Sequence, residues 1–127
     1  MIHTAILLLG SNVPDRESRL EAAVDSLSDV SVITARSQIY VSPDRSGLGE
    51  PYANIVMQCD TEMDIDGFRE FSAQVETRLG RTPQSKSEGV MPVDIDLVKW
   101  NGRVVSPGDY ESQQYRHCMQ SMSENIK

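Results

Sequence analysis

Hydrophobic and polar positions follow two different periods along the chain, and the period changes at glycines and prolines. Residues 2–10 form a nearly continuous apolar run that ends at Gly10, a pattern typical of a central strand covered on both faces. In the next segment Pro14 suits a first helical turn. The apolar residues there recur at helical spacing, at Leu20, Ala23, Val24 and Leu27. The chain therefore begins with a strand followed by a helix.

Two further segments alternate with the two-residue period of half-buried strands. Their inward positions are Ile33, Ala35, Ile39 and Val41 in the first segment, and Ala53, Ile55, Met57 and Cys59 in the second. The link between them, residues 42–51, is dense in Pro and Gly and is too long for a tight hairpin. We therefore predict that this link is a functional loop.

A second helix is predicted to begin after Asp64, which can act as its N-cap, and to end at Gly80. Its apolar stripe consists of Ile65, Phe68, Ser72, Val75 and Leu79. A last strand is predicted within residues 89–100, "GVMPVDIDLVKW". The order β-α-β-β-α-β predicts an α+β, ferredoxin-like domain over residues 1–127, an antiparallel sheet with two helices on one face. In this arrangement the first and third strands are central, and the fourth lies beside the first.

The fourth predicted strand contains two aspartates in the stretch "VDIDL". Because alternate side chains of a strand point to opposite faces, Asp94 and Asp96 share the face that Ile95 does not use. If the apolar positions all face the helices, Tyr52 and Asn54 of the third strand share that uncovered face. Strands two apart in a sheet are separated by roughly 10 Å. The sequence thus predicts a polar, acidic site about one small ligand wide.

Charge and composition narrow the class of protein. With 19 acidic residues against 12 Lys and Arg, the formal net charge is -7, which argues against a general nucleic-acid binder. The first residues have no basic region, and their apolar run is too short for a signal peptide or a membrane span. We therefore expect a cytoplasmic domain, with Cys59 and Cys118 as reduced thiols. The pattern carries no signal for an oligomeric state.

The pattern alone leaves alternatives open at each polar position of this site. Asp94 and Asp96 fit a magnesium site, and they also fit solvated acids on a surface strand. Asn is depleted in strands, so Asn54 fits an amide that contacts a ligand, or a local turn or cap at the strand start. For Tyr52 taken by itself, a packed surface aromatic is the favoured interpretation.

Five short stretches, taken in order, resemble one known family. They are "LGSN", "SQIYVSP", "YAN", "ETRLGR" and "VDIDL", within roughly residues 4–100. Together they are similar to the 6-hydroxymethyl-7,8-dihydropterin pyrophosphokinases of folate biosynthesis. The resemblance implies an ATP:hydroxymethyldihydropterin diphosphotransferase that uses ATP, a reduced pterin and Mg²⁺, with two ions accompanying ATP. It also implies that Asp94 and Asp96 are the catalytic magnesium ligands.

The resemblance implies further roles on either side of the aspartates. The residues it assigns to the pterin are Ser42, Pro43, Tyr52, Asn54 and Tyr115, and those it assigns to ATP are Glu76, Arg81 and Lys86. A Glu and an Arg at a helix end also fit plain solubility and pairing with the helix dipole.

The chain also departs from the family pattern. Met91 stands where the family has an arginine, in a loop that we expect to accept an arginine without loss of core packing. The family's Pro-His pair and Arg-Gly-aromatic segment are missing from residues 101–127, which we expect to be divergent and loosely ordered. The alternative to the enzyme is therefore a catalytically weak or inactive ferredoxin-like module that binds a pterin.

Overall fold

The computed structural model describes residues 1–44, 47 and 49–126. In chain order the elements are β1 (His3–Ser11), α1 (Arg16–Leu27), β2 (Ser31–Arg36), β3 (Tyr40–Ser42), β4 (Tyr52–Thr61), α2 (Ile65–Arg78), α3 (Ser85–Glu88), β5 (Asp94–Trp100), β6 (Arg103–Val104), α4 (Pro107–Tyr110) and α5 (Gln113–Ile126). Residues 45, 46 and 48 of the predicted functional loop, and residue 127 at the end of the predicted domain, lie outside the described residues.

The strands form one antiparallel sheet in the order β2-β4-β1-β5-β6, and β3 also pairs with β4. The central strands are therefore β1 and β4, which correspond to the first and third predicted strands. The last long strand, β5, lies beside β1 as expected. This sheet with α1 and α2 confirms the α+β, ferredoxin-like prediction.

One face of the sheet is closed by α1 and α2 over a continuous apolar core. Leu7 and Leu9 of β1 project into this core together with Ile55 of β4 and Phe68 of α2, and all four side chains are fully buried. All four predicted apolar positions of α1 are buried. The carboxylate of Asp64 accepts a hydrogen bond from the Gly67 N–H at 2.7 Å, which confirms the predicted N-cap of α2.

The prediction of a single second strand is wrong, because this segment forms two short strands, β2 and β3. The chain leaves regular pairing at Ser37, whose N–H donates to the Val56 carbonyl and whose hydroxyl accepts from the Val56 N–H at 2.9 Å. Downstream of this break Ile39 and Val41, predicted to point inward, are exposed by 38% and 55%. The predicted alternation is already lost at a register shift between Ile33 and Ala35, because Ile33 packs against the α1 and α2 core whereas Ala35 packs against the cluster on the other face.

The sequence had suggested that the second face of the sheet is uncovered. In the structure, part of this face is covered. Residues 101–127 were expected to be loosely ordered, yet they include β6, α4 and α5 as far as Ile126. The buried residues of α5 pack against this face over Leu8, Val56 and Val98; they are Tyr115, Cys118 and Met122. In the described residues no helix is long and apolar enough to cross a membrane.

Candidate active site

A row of paired residues crosses four strands on the second face, and α5 contacts one end of it at Tyr40. Gly10 in β1 pairs with Asn54 in β4 on one side and with Asp94 in β5 on the other. Asn54 pairs in turn with Tyr40 in β3. Directly paired residues of a sheet project to the same face, so the row is Tyr40, Asn54, Gly10 and Asp94.

Gly10 leaves the middle of this row empty. A Cβ at that position would lie 3.2 Å from Cδ2 of Tyr52 and 3.3 Å from Oδ1 of Asn54, which is closer than most real Cβ contacts. The absent side chain therefore opens a floor between an amide on one strand and a carboxylate two strands away. That separation is roughly 10 Å between backbones, about the width of a bicyclic ring with a substituent.

The floor belongs to a cleft of about 660 Å³, which we call the main cleft. A volume of this size is typical of small-ligand sites. The main cleft is lined by Leu8, Gly10, Tyr40, Ser42, Pro43, Asp44, Tyr52, Asn54, Lys86, Asp94, Asp96, Asp109, Gln113 and Gln114. Seven of the predicted site residues are therefore brought together: Ser42, Pro43, Tyr52, Asn54, Lys86, Asp94 and Asp96.

The amide of Asn54 is held in one orientation by the protein. It is 4% exposed, and its Nδ2 donates to the Tyr40 carbonyl and to the Ser42 hydroxyl, both at 2.9 Å. The two donors are thereby used within the protein, and Oδ1 lies beside the empty position above Gly10. Asn54 therefore does two things at once, because it fixes β3 and it presents an acceptor to the cleft.

The two predicted aspartates differ in their surroundings. Asp94 accepts a hydrogen bond from Arg81 Nη1 at 2.9 Å. Among the described residues Asp96 has no such ion pair, and burial, the Asp94 carboxylate and the Asp109 carboxylate together raise the pKa of Asp96 to about 8. Asp96 therefore lies where negative charge is in excess, and where a cation would relieve it.

Glu76 and Arg81 hold the first of these aspartates in place. Glu76 Oε2 accepts from Arg81 Nη1 and from the Ile95 N–H, each at 2.7 Å. Since Ile95 lies between the two aspartates, this bond fixes the backbone from which both side chains project. Burial raises the pKa of Glu76, and the hydrogen bonds from Ile95 and Arg81 offset only part of that rise. Glu76 and Arg81, two of the three predicted ATP residues, thus contact β5.

A smaller cavity of about 280 Å³, which we call the side pocket, adjoins the main cleft. It is lined by Arg69, Ser72, Ala73, Glu76, Ile95, Asp96, Leu97, Val105, Ser106 and Asp109. Asp96 and Asp109 line both cavities. Asp96 and Asp109 therefore lie at the boundary between the main cleft and the side pocket.

The carboxylates fit a metal only in combination with a ligand. Among the described residues, no group of three His, Cys, Asp or Glu side chains is arranged to hold a metal ion. Mg²⁺ is commonly held by one or two carboxylates, with the remaining positions taken by waters and substrate phosphates. Asp94 and Asp96, which both line the main cleft from one strand, have the chemistry of that donor set.

Two expectations about this region are corrected by the structure. Tyr115 does not line the main cleft, because it is 3% exposed and packs with Cys118 and Met122 against the sheet. Its ring lies 5.6 Å from that of Tyr110, and its hydroxyl has no hydrogen-bond partner among the described residues. Met91 is 5% exposed and its N–H donates to Asn12 Oδ1, so the expectation that an arginine fits there without loss of packing is wrong.

Several lining residues were not predicted. Tyr40 belongs to the polar alternation of its strand, so its face was predictable, and its ring stacks on His117 with centroids 4.0 Å apart. Asp109 lies in α4, where the Ser106 hydroxyl donates to its Oδ2 at 2.6 Å. No local pattern signals that α4 lies over β5, because that contact depends on how the chain turns back after β6.

Fold and site together define a class: a ferredoxin-like α+β domain with an acidic, ligand-sized cleft on one face of its sheet. The model of the 7,8-dihydro-6-hydroxymethylpterin-pyrophosphokinase (HPPK) family matches residues 6–124 of this chain. Because the match spans nearly the whole sequence, the chain belongs to the HPPK family.

Named relatives agree with this membership. The chain is 32% identical over 105 residues to the 2-amino-4-hydroxy-6-hydroxymethyldihydropteridine pyrophosphokinase of Methylorubrum extorquens, covering 80% of this chain and 66% of the relative. The protein of the same name from Bacillus subtilis is 30% identical over 105 residues, and the match covers 80% of this chain and 62% of that relative. The chain thus spans slightly less than two thirds of the length of these relatives. A crystal structure of an unknown protein from Galdieria sulphuraria matches 76% of this chain and 48% of its own, at 18% identity and a TM-score of 0.44.

Proposed function

We propose that this chain transfers pyrophosphate from ATP to the hydroxymethyl group of 6-hydroxymethyl-7,8-dihydropterin. Membership of the HPPK family supports the reaction class. The observation that carries the proposal is the row across the sheet, in which the Asn54 amide and the Asp94 carboxylate flank the empty position at Gly10. An acceptor ring and a metal-bound phosphate can then meet over Gly10.

In this proposal the pterin occupies the part of the main cleft between Tyr52, Asn54 and the Ser42–Pro43 segment. The Asn54 Oδ1 accepts a hydrogen bond from an N–H at the edge of the ring, and Gly10 adds no side chain to the wall of the main cleft. Burial together with the carboxylates of Asp44 and Asp94 raises the pKa of the Tyr52 hydroxyl, so Tyr52 stays neutral and serves as an aromatic contact.

On the donor side, ATP lies toward Glu76, Arg81 and Lys86. The Arg81 guanidinium already contacts Glu76 at 2.7 Å and Asp94 at 2.9 Å, so its main effect is to orient these carboxylates. Lys86 lines the main cleft and can contact phosphate. The side pocket next to Asp96 is available to the nucleoside.

Asp94 and Asp96 are the residues we propose to hold Mg²⁺, with two ions when ATP is present. Bound Mg²⁺ neutralises the triphosphate and the charge that develops on the leaving AMP. The protein's own contribution is positional: Glu76 fixes the Ile95 backbone between the two aspartates, and Arg81 fixes Asp94. The hydroxymethyl oxygen forms a bond to the β-phosphorus, the bond from that phosphorus to the bridging oxygen of AMP breaks, and the hydroxyl proton passes to water.

The test is the appearance of AMP when ATP, Mg²⁺ and the reduced hydroxymethylpterin are mixed with the purified chain. Asp96→Asn should reduce the rate at least a hundredfold, since one metal-binding carboxylate is lost. Asp29→Asn, which changes an exposed aspartate far from the cleft, is the matched control and should leave the rate unchanged. AMP formation that survives in Asp96→Asn would contradict the proposed metal site.

A second function is distinguished by the same experiment. Met91 is buried where the family has an arginine, which favours a module that binds a pterin and transfers pyrophosphate slowly or not at all. That module would show pterin binding by calorimetry without AMP formation. A chain that binds no pterin would exclude both functions.

A further inference from the structure

Asn12 makes three hydrogen bonds to one distant segment. It lies directly after β1 and is 4% exposed. Its Oδ1 accepts from the Met91 N–H at 2.6 Å, its Nδ2 donates to the Gly89 carbonyl at 2.9 Å, and its backbone N–H donates to the Met91 carbonyl at 3.0 Å. Because the side chain both donates and accepts, a carboxylate of the same size cannot reproduce the set.

The loop after β3 reaches the same point. Gly49 packs so closely that a Cβ on it would collide with the Gly89 carbonyl oxygen and lie 2.7 Å from Asn12 Nδ2. The Gly49 N–H donates to Asp44 Oδ2 at 2.9 Å, and Asp44 lines the main cleft. Asn12 therefore stands where the end of β1, the α3 segment and this loop converge.

The two segments carry opposite sides of the proposed site. The α3 segment ends at Gly89, whose φ of 71° closes the helix, and it contains Lys86 on the donor side. The loop after β3 contains Pro43 and Asp44 on the acceptor side. The distance between these sides therefore depends on the contact at Gly89, which the Asn12 amide holds.

We infer that Asn12 is a positioning residue for the transfer reaction, which sets the spacing between the donor-side segment 85–91 and the acceptor-side residues Pro43, Asp44 and Gly49. This inference rests on the proposed function, although Asn12 itself is outside the main cleft. Its amide acts on the substrates only through Gly89, Met91 and Gly49.

The first measurement is backbone hydrogen exchange on Asn12→Asp, with no substrate present. This change keeps an acceptor for the Met91 N–H and replaces the donor to Gly89 with an oxygen that repels the carbonyl. Exchange at Met91 and Gly49 should rise about tenfold, because a lost hydrogen bond of about 1.4 kcal/mol lowers local stability by that factor.

Asn101→Asp is the matched control at the other end of the same strand pair. Asn101 Oδ1 accepts from the Thr4 N–H at 2.9 Å, and its Nδ2 contacts His3 Nδ1 at the same distance. Its φ of 51° is one that Asp also adopts. Exchange in this variant should change near Thr4 and remain unchanged at Met91 and Gly49.

The second measurement is steady-state kinetics at a temperature where each variant is fully folded. Asn12→Asp should raise the KM of both substrates about tenfold with a smaller change in kcat. The change displaces the donor-side and acceptor-side segments that contact the substrates, whereas β5, which carries Asp94 and Asp96, stays in place. Asn101→Asp should keep both constants. Faster exchange with unchanged KM would show that Asn12 is only structural, and unchanged exchange would also overturn the inference.

Gly49→Ala provides an independent variant should Asn12→Asp fail to fold. The added methyl displaces the same contact and should raise both KM values. If the two changes act through one contact, their combined effect should be smaller than the sum of their separate effects, whereas Gly49→Ala and Asn101→Asp should add. Additivity of the first pair would overturn the inference. A native chain that forms no AMP would instead refute the proposed function.

Discussion

The two faces of the sheet are built by the same strands and differ in what they bury. On the helix-covered face, Leu7 and Leu9 lie in a closed apolar core. On the other face, Leu8 is buried by α5, but Gly10 opens onto the main cleft. One face is therefore packed along its whole length, whereas the other changes from a packed cluster to an open cleft within a single strand.

The difference shows how an acidic site is accommodated in a small domain. Asp96 projects from the same face as Val98, which α5 buries, yet it stays only half-buried itself because the cover ends before it. Its raised pKa shows that burial and the nearby carboxylates oppose its charge. The ligand-free protein is thus less stable at this point than an uncharged site would be, a common trade-off at functional sites.

The largest effect is expected on the helix-covered face. Phe68→Ala should lower the free energy of unfolding by about 3–5 kcal/mol, because it removes a fully buried ring from the core. Denaturant titration gives this value. Val32→Ala, at a position 69% exposed, is the control and should change stability by less than about 0.5 kcal/mol. Equal effects would contradict the assignment of stability to this face.

Gly10→Ala, unlike Phe68→Ala, should affect ligand binding more than the free energy of unfolding. The added methyl forces the Tyr52 ring and the Asn54 amide to move, and it fills the floor of the main cleft. Pterin affinity measured by calorimetry should fall about tenfold, or about 1.4 kcal/mol, with a smaller change in unfolding free energy. Gly108→Ala, which meets nothing within 4 Å, should leave affinity intact.

Asp96→Asn should stabilise the ligand-free protein while impairing transfer. The folded pKa of Asp96 is raised from 3.8 to about 8, so this carboxyl lowers stability progressively as the pH rises between these two values, and the amide removes that cost. A gain of about 1 kcal/mol corresponds to a Tm higher by a few degrees in calorimetry. A lower Tm would mean that the carboxylate has a structural role.

The smallest effect is expected at Tyr115. Its buried hydroxyl has no hydrogen-bond partner among the described residues, so Tyr115→Phe should change stability by less than about 1 kcal/mol, in the stabilising direction. Pterin affinity should stay the same, because the Tyr115 side chain projects from α5 onto the sheet and lies outside the main cleft. Loss of pterin binding in this variant would restore the role that the sequence had suggested.

Sequence periodicity was sufficient where a local pattern decides the structure. The helical spacing of Leu20 and Leu27 predicted α1, the position of Asp64 predicted the start of α2, and the two-residue period predicted that Asp94 and Asp96 share a face. Each of these depends on neighbours in sequence. The antiparallel strand order followed from the element order alone.

The remaining features depend on contacts between distant segments. Ser37 breaks its strand through bonds to Val56, which no local pattern contains. The spacing of Tyr115, Cys118 and Met122 was a usable helical signal, but only the folded sheet shows which face it covers. Asp109 joins the site for the same reason, because α4 reaches β5 through tertiary packing.

The excess of acidic groups around the main cleft also bears on how fast ligands arrive. Asp44, Asp94, Asp96 and Asp109 line it together with one lysine, Lys86, among the described residues. An anion that approaches without a bound cation meets a field of its own sign, whose range at 0.1 M salt is about 10 Å. Its association rate should therefore increase with ionic strength, the opposite of the steering seen where a protein attracts its ligand. Association of a neutral ring should show no such dependence.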